Sequence, residues 1–374
     1  MKAGWHKLPF DEAVVDESGG NLKTPQREFL AEGEFAVIDQ GKELVSGYVN
    51  DRTRLCRSAL PVVVFGDHTR CLKFVDFPFC MGADGIKVLR PKVNADVKYL
   101  YHYLRQLRLY DGGYDRHFKY LKRAEVVLPP LAEQRRIAEV LDRAEALRAK
   151  RRAALAQLDS LTQSLFLDLF GDPATNAKGF PTMPLASLVR DDDTINYGVV
   201  QPGDDLDEGV SLVRVGDLID GKVKHSDLKR IAPSIEAAYK RSRLRGHEVL
   251  LVCVGATAGL VAIADETVRG FNIARAIARI PLADGSDPIF VAAYLRTDRA
   301  QRHFQNELRT VAQPTLNIKQ ICELPVVYPP LERQREFARR VRAVEKLKRA
   351  QRASLAELDA LFATLQHRAF RGEL

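Results

Sequence analysis

The stretch "LPPLAEQRRIAEVLDRAEALRAKRRAALAQLDSLTQSLF", residues 128–166, decides the fold because the chain carries it twice. The second copy, "YPPLERQREFARRVRAVEKLKRAQRASLAELDALFATLQ", occupies residues 328–366. At an offset of 200 the two segments align without a gap over 43 positions, 128–170 with 328–370. A self-match of this length at a fixed offset indicates an internal repeat, and any fold must account for it.

Each copy predicts one long helix. The leading Pro-Pro pair suits the first turn of a helix and cannot continue a strand ladder. Behind it, apolar residues recur at heptad spacing between charged ones, as two packed helices require. The stripe of apolar residues is interrupted at the equivalent residues Arg151 and Gln351. These polar side chains either fix the register of the paired helices or extend into solvent. About 40 residues at 1.5 Å each would span about 60 Å.

Connectivity predicts the architecture. Residues 1–127 form an N-terminal head, 128–170 the first spacer helix, 171–327 a C-terminal head, and 328–374 the second spacer helix. If the helices pair, they pair in antiparallel order, because each one leaves a different head. We therefore predict an α+β fold in which two mixed α/β heads are separated by a pair of long antiparallel coiled-coil helices, with a pseudo-twofold internal repeat.

Both heads mix short β-type runs with helical ones. In the N-terminal head, 35–39, 60–66 and 86–90 read as strands and 96–107 as a helix. In the C-terminal head the predicted strands are 210–218, 248–255 and 274–280, and the predicted helix is 287–308. Outside a few shared anchors the two heads differ in sequence. A shared arrangement of predicted elements with different surface residues suggests that the two heads recognise two different ligands.

Composition narrows the class of protein. The net charge of +8 suits a polyanionic partner, but the second spacer helix, with 11 basic and 6 acidic residues, holds most of the excess. DNA binding would therefore depend on local placement of charge. The five cysteines are scattered, which favours reduced core residues over a disulfide framework or zinc site. With no leader-like start and no run of 18 or more apolar residues, we expect a cytoplasmic protein.

The sequence shows no catalytic motif. "FGDPA" (170–174) lacks the second proline and the aromatic residue of an amino-methyltransferase motif. "GATAG" (255–259) is neither a dinucleotide-binding nor a P-loop pattern, and the eight histidines fit no metal-ligand spacing. We therefore predict a binding protein that is not an enzyme by itself, with no metal and no cofactor of its own.

Several motifs together carry a resemblance. They are "LPPLAEQRRIA" and "YPPLERQREFA" at the helix starts, and "VIDQGKELVSGYVND" (37–51), "RVGDLIDGKV" (214–223), "LRGHEVLLVCVGATAGLVAI" (244–263) and "QPTLNIKQICELPVVYPPL" (313–331). Over essentially its whole length the chain resembles the DNA-specificity subunit of a type I restriction–modification enzyme. One departure is Arg333, which stands where the repeated motif has glutamate.

The resemblance implies two target-recognition domains, each reading one half of a split, asymmetric double-stranded DNA target. It also implies that two methyltransferase subunits dock on the spacer helices, that restriction subunits join the complex, and that S-adenosylmethionine binds the partner methyltransferase. The predicted partner-binding residues are Gln134, Arg135, Gln334 and Arg335. Two half-sites on one face of B-DNA lie about 34–36 Å apart.

The predicted DNA-binding residues are polar or basic side chains in loops, because such groups match the hydrogen-bonding patterns of base edges. In the N-terminal head they are Gln40, Lys42, Tyr48, Asn50, Arg52, Arg70, Tyr114, Arg116, His117 and Lys119. In the C-terminal head they are Asn196, Tyr197, Arg214, Lys224, Gln313, Thr315, Asn317 and Lys319. The loops 110–119 and 313–319, just before the Pro-Pro helices, are the strongest candidates.

Three alternatives stay open. A specificity subunit of a type II system with a bipartite site differs only in its partner subunits. A coiled-coil scaffold that binds other proteins would show no sequence preference and little salt dependence, whereas a DNA reader loses affinity steeply with salt. An enzyme with an unrecognised active site would need clustered polar groups that the sequence does not display.

Overall fold

The computed structural model describes residues 2, 4–83, 85–110, 113, 115–308 and 315–374. The chain divides into two compact units: unit 1 comprises Met1–Ala153 with Arg352–Leu374, and unit 2 comprises Ala154–Gln351. Each unit therefore contains one head, the first half of the long helix that follows it, and the last part of the other long helix.

Unit 1 contains two four-stranded sheets and a two-stranded ribbon. Its strands are β1 (His6–Pro9), β2 (Val14–Asp16), β3 (Lys23–Thr24), β4 (Phe35–Ile38), β5 (Gly47–Val49), β6 (Val62–Gly66), β7 (Leu72–Val75), β8 (Phe79–Gly82), β9 (Ile86–Pro91) and β10 (Glu125–Leu128). Its helices are α1 (Phe10–Ala13), α2 (Val97–Gln106), α3 (Phe118–Leu121) and the first half of α4 (Leu131–Phe170), with 3-10 turns at Gln26–Glu28 and Arg52–Arg54. The sheets have strand orders β2-β9-β6-β7, all antiparallel, and β3-β8-β4-β5, in which β3 and β4 run parallel to β8.

Unit 2 is built in a related way. Its strands are β11 (Thr182–Pro184), β12 (Asn196–Tyr197), β13 (Val210–Val213), β14 (Leu218–Ile219), β15 (Lys222–Val223), β16 (Lys229–Ile231), β17 (Glu248–Val252), β18 (Val261–Ala264), β19 (Asn272–Ile273), β20 (Ile277–Pro281) and β21 (Pro325–Val327). Its helices are α5 (Pro233–Ala238), α6 (Pro288–Leu295), α7 (Asp298–Leu308), α8 (Ile318–Cys322) and the first part of α9 (Leu331–Ala369), with 3-10 turns at Leu185–Leu188, Val215–Asp217, Lys240–Ser242 and Glu266–Val268. The sheets have strand orders β12-β20-β17-β18-β15-β14 and β16-β13-β19, and a ribbon pairs β11 with β21.

The same set of contacts fixes the start of each long helix. In unit 1, the Gln134 side chain donates to Pro129 O (2.7 Å) and accepts from the N–H of Asp96 (2.9 Å), the residue that caps α2. In unit 2, Gln334 donates to Pro329 O (2.8 Å) and accepts from the N–H of Asp287 (3.0 Å), the cap of α6. Each glutamine thus satisfies two backbone groups at the junction between a head and its helix.

Aromatic side chains join the end of the other long helix to each head. In unit 1, Phe370 lies 5.7 Å from Tyr99 and 5.3 Å from Tyr103, between ring centroids. In unit 2, Phe170 lies 4.9 Å from Phe290 and 5.5 Å from Phe337. Burying one such ring stabilises a fold by about 1.5–3 kcal/mol, so each helix end is anchored in its unit.

Within each unit the two long helices contact each other. In unit 1, Arg148 of α4 pairs with Asp359 of α9 (2.5 Å), and its guanidinium lies 4.4 Å from the Phe362 ring centroid. In unit 2, Lys348 of α9 pairs with Asp159 of α4 (3.0 Å). Positions 148 and 348 are equivalent in the sequence repeat, as are 159 and 359, so the same ionic contact occurs once in each unit.

Most predicted elements lie where the sequence placed them, with two exceptions. The strand predicted over 210–218 is two strands, β13 and β14, separated by the 3-10 turn Val215–Asp217. The helix predicted over 287–308 is two helices, α6 and α7, separated at Arg296 and Thr297. The Thr297 hydroxyl donates to Tyr294 O (2.7 Å) and accepts from the N–H of Ala300 (3.5 Å). This local hydroxyl pairing competes with the helix ladder and starts a new helix at Asp298.

Candidate nucleic-acid interface

Three loops of unit 1 meet at the side chain and backbone of Gln40. The Gln40 carbonyl accepts from the Thr69 hydroxyl (2.5 Å), and its side-chain oxygen accepts from the N–H of His68 (3.3 Å). Gly85 lies beside them with φ +90°, where a Cβ would come within 2.9 Å of His68. A side chain at position 85 would therefore displace the loop. The predicted residues Gln40 and Lys42 lie on one of these loops, and Arg70 lies on another.

Asp39 anchors this loop from below. It accepts from the N–H of Gly41 (2.7 Å) and the Ser46 hydroxyl (2.5 Å), and the Lys73 ammonium, 5% exposed, donates to its carbonyl (2.8 Å). Burial opposes ionisation of Asp39, but these hydrogen bonds outweigh it and hold its pKa below the usual value. Burial dominates at Lys73 and lowers the pKa of its ammonium. Lys73 thus holds the backbone that presents Gln40.

The loop before α3 is tied to the same turn through Asp67. Asp67 accepts from the backbone N–H groups of His117 (2.7 Å, at its carbonyl) and Phe118 (2.8 Å, at its carboxylate). The His117 ring lies 3.1 Å from Asp67 O and is 1% exposed. The imidazole therefore faces inward and holds the loop, and contact between His117 and DNA stays a prediction.

Asp115 organises the exposed part of this loop. It accepts from the Lys119 ammonium (3.0 Å), the N–H of Arg116 (2.7 Å) and the Tyr120 hydroxyl (2.9 Å). These hydrogen bonds, that of Lys119 first, lower the pKa of Asp115 to about 2. Lys119 and Arg116 both stay exposed, as the prediction requires, and Tyr114 lies outside the described residues.

The other residues predicted in the N-terminal head lie elsewhere. Tyr48, on β5, is half-buried and its backbone pairs with Leu30, while the Asn50 side chain accepts from the N–H of Glu34 (2.9 Å). Arg52 starts the following 3-10 turn and is exposed. The β4–β5 pairing places Asn50 and Arg52 towards the opposite end of the hairpin from Gln40. The structure therefore divides the predicted set into two groups.

In unit 2, a comparable group surrounds the end of β17. The Tyr197 hydroxyl donates to Leu316 O, Thr315 bridges to Val254, and burial raises the pKa of Tyr197 to about 12. Asn317 caps α8 by accepting from the N–H of Gln320 (3.0 Å). Lys319 remains exposed, 3.8 Å from Glu323. Gln313 lies outside the described residues.

A second group in unit 2 forms around Asp217. The Arg214 side chain donates to Asp217 Oδ2 (3.1 Å), and the N–H of Lys224 donates to the Asp217 carbonyl (2.8 Å). Arg214 is exposed and Lys224 half-buried. The amide of Asn196, next to Tyr197 on β12, donates to Arg241 O (3.1 Å) in the turn that precedes β17.

Sequence reasoning missed a buried ionic network behind that turn. Glu248, fully buried, accepts from the N–H groups of Arg245, Gly246 and His247 (2.7, 2.9 and 3.0 Å) and from the Arg279 guanidinium (3.3 Å). Arg279, 1% exposed, also pairs with Asp193. A buried charge needs such partners to be tolerated. The network fixes the basic segment 239–245, and only the charged residues inside two apolar strands could have signalled it.

Two of the four predicted partner-binding residues are internal. Gln134 is 2% exposed and Gln334 is fully buried, and both amides are engaged as described above. Their repetition in the sequence reflects a repeated helix-start contact, and partner binding by these two residues stays a prediction. Arg135 and Arg335 are exposed on the long helices.

The long helices carry exposed leucines at equivalent positions of the repeat. Leu147 and Leu347 are each 53% exposed, and Leu161 and Leu361 are 37% and 51% exposed. Leu147 and Leu361 belong to unit 1, and Leu161 and Leu347 to unit 2. In unit 2 the pair borders a shallow groove that also contains Leu158. Each unit thus exposes two of these leucines on its helices.

The family model for the type I restriction modification DNA specificity domain matches residues 63–157 and 191–359, which is more than half of the chain. The chain belongs to this family. It is 33% identical over 275 residues to the type I restriction enzyme EcoBI specificity subunit of Escherichia coli. That alignment covers 66% of this chain and 58% of the E. coli subunit, so the chain spans less than two thirds of that relative.

Solved structures of the specificity family share the fold. The S subunit of a type I restriction–modification system from M. genitalium aligns over 98% of this chain and 96% of its own, with a TM-score of 0.63 and 16% identity. A structure described as the basis of complex assembly and conformational transition of the type I R-M system aligns over 100% of this chain and 99% of its own, with a TM-score of 0.57 and 19% identity.

In the described part of the chain, no group of three or more His, Cys, Asp or Glu side chains is placed to hold a metal ion. Over the same residues, no helix combines the length and apolar character needed to cross a membrane.

Proposed function

We propose that this chain is the DNA-specificity subunit of a type I restriction–modification system. It binds an asymmetric, bipartite double-stranded DNA target, and each head, 1–127 and 171–327, acts as a target-recognition domain for one half. The observation that carries the proposal is the family match, which extends into both heads and both long helices. The loops around Gln40 and those around Tyr197 differ, which supports recognition of a different DNA half-site by each head.

The chain itself binds and positions, while partner subunits carry out methylation and cleavage. S-adenosylmethionine belongs to the methyltransferase partner. The helices, 128–170 and 328–374, act as an antiparallel coiled-coil spacer between the recognition domains. Their equivalent ion pairs, Arg148–Asp359 and Lys348–Asp159, support a repeated helix pair with a defined register.

Two methyltransferase subunits dock on the spacer helices. The support is the apolar pair that each unit exposes, Leu147 with Leu361 and Leu161 with Leu347. Exposed apolar side chains commonly mark the core of a protein–protein interface. Their repetition in both units fits two copies of the same partner. The exposed Arg135 and Arg335 lie nearer the start of the same helices.

Methylation mapping tests the proposal. The chain is co-expressed with its methyltransferase in a host without other modification, and methylated bases are mapped by long-read sequencing. A split motif with a fixed gap, lost when the chain is omitted, is the expected result. A chain that expresses normally but directs no methylation would support the scaffold alternative instead. A split motif produced by a partner that both cleaves and methylates would indicate the type II variant.

A further inference from the structure

Tyr110 of unit 1 is unusually exposed for an aromatic residue. At 67% exposure it exceeds every other large apolar or aromatic side chain of the described residues. Its ring centroid lies 5.3 Å from that of Tyr120, whose hydroxyl is fixed by Asp115 (2.9 Å). Water-exposed aromatic surface of this kind commonly marks an interaction site. The surface formed by Arg108, Tyr110, Tyr120 and Arg123 is called the Tyr110 surface below.

Positive charge surrounds this aromatic pair. The Arg123 guanidinium lies 5.7 Å from the Tyr120 ring centroid, and the Lys119 ammonium lies 5.0 Å from it. Lys119 is neutralised by Asp115 (2.8 Å), but within the described ranges neither Arg108 nor Arg123 forms an ion pair. Two guanidinium groups without a carboxylate partner create a local positive potential that an anion would neutralise.

An apolar groove lies beside these arginines. Leu107, Leu109 and Ala124 line a shallow groove of about 260 Å³ between the two arginines and the two tyrosines. The occupant that matches an apolar floor flanked by guanidinium and phenol groups is a deoxyribose with its phosphates. Its sugar packs against the leucines and the Tyr110 ring, and its phosphate oxygens accept from arginine and from the phenol.

We propose that the Tyr110 surface clamps the sugar–phosphate backbone beside the half-site that unit 1 reads. Its position supports this role. Lys119 and Tyr120 lie on α3, whose first residue Asp67 ties to the turn beside Gln40. The inference rests on the proposed function and adds a division of labour. The Gln40 group distinguishes bases, whereas the Tyr110 surface contributes affinity without sequence preference.

The test is DNA binding by the full chain, assembled with its methyltransferase, measured by fluorescence anisotropy against salt concentration. The probes are a labelled duplex with the motif found by methylation mapping and a duplex with that motif scrambled. Arg123→Gln and Tyr110→Ala should weaken binding to both duplexes by a similar factor, about three- to tenfold. The log–log salt slope should fall in magnitude by about 0.9 for the lost phosphate contact of Arg123.

Matched variants separate the outcomes. Arg143→Gln removes an exposed arginine of α4 that pairs with Glu139, outside the Tyr110 surface, and should leave the slope near that of the parent. Tyr110→Phe keeps the ring and should lose less than Tyr110→Ala. Unchanged affinity and slope in Arg123→Gln and Tyr110→Ala, with normal binding by the parent, would overturn the clamp alone. A loss confined to the motif duplex would also overturn it, because that pattern indicates base reading. A parent complex that binds no DNA would refute the proposed function itself.

Discussion

At the scale of single residues, similar polar side chains have different tasks that the sequence does not reveal. Gln40, Gln134 and His117 all lie in or near motifs that resemble the specificity family. Gln40 joins three loops, Gln134 satisfies two backbone groups at a helix start, and His117 is buried against Asp67. Sequence indicates where such residues cluster, but the direction of each side chain depends on partners 28 to 50 positions away.

Replacing Gln134 with alanine should destabilise unit 1. The substitution leaves Pro129 O and the N–H of Asp96 without partners, and each buried, unsatisfied group costs about 1–3 kcal/mol. We expect a loss of roughly 2–4 kcal/mol in the free energy of unfolding, measured by urea denaturation. Gln334→Ala should do the same in unit 2. The exposed neighbour Arg135→Ala is the control, and equal stabilities for Gln134→Ala and Arg135→Ala would contradict this assignment.

The Asp115 carboxyl should titrate at about pH 2 in the folded protein. A folded-state pKa below the unfolded value of about 3.9 means that ionised Asp115 stabilises the loop above that value. This contribution is lost as the pH falls towards 2. Carboxyl ¹³C NMR of aspartate-labelled protein would measure it. Lys119→Met should raise the Asp115 pKa, and a parent midpoint near 3.9 would show that the loop contacts do not persist in solution.

At the scale of elements, the long helices were the most predictable feature. Their limits, predicted from the Pro-Pro pairs and the heptads, lie close to Leu131–Phe170 and Leu331–Ala369, because both signals are local. The sheets were less predictable. β3 and β4 pair in parallel with β8, and β13 with β19, although these strands are far apart in sequence. Pairing of this kind is decided by tertiary packing, which no local pattern encodes.

The exposed leucine pairs should each hold one methyltransferase subunit. Leu147→Glu with Leu361→Glu places two carboxylates on the unit 1 pair, where a partner would have to bury them. Native mass spectrometry of the reconstituted complex should then show one methyltransferase per chain in place of two. Leu161→Glu with Leu347→Glu should do the same through unit 2.

The leucines are exposed, so neither double variant should change the thermal midpoint by more than a few degrees. Ala146→Glu adds the same charge at an exposed position of α4 and serves as the control for charge alone. Retention of both methyltransferase subunits by both double variants would rule out these leucines as the docking contact.

At the scale of the whole molecule, the two heads share an arrangement of helices and strands but differ in their surface loops. Both place a capped helix against a sheet and a short ribbon before the Pro-Pro helix, as shown by α2 with β1–β10 and α6 with β11–β21. The loops proposed for recognition differ: one is held by Asp39 and Asp67, the other by Tyr197 and the Asn317 cap. The frame follows from the repeat in the sequence, while the loop surfaces depend on contacts specific to each unit. The proposed function therefore places two independent readers on one chain.

The most direct measurement of that claim is methylation mapping with variants confined to one unit. Gln40→Ala, in unit 1, removes a polar group from one proposed reading site, and Lys319→Ala removes an exposed cation from the other. We predict that Gln40→Ala relaxes bases in one half of the split motif and leaves the other half and the gap unchanged. Lys319→Ala should either affect the opposite half or reduce methylation uniformly. Relaxation of both halves by Gln40→Ala, or a continuous motif in the parent, would contradict the account.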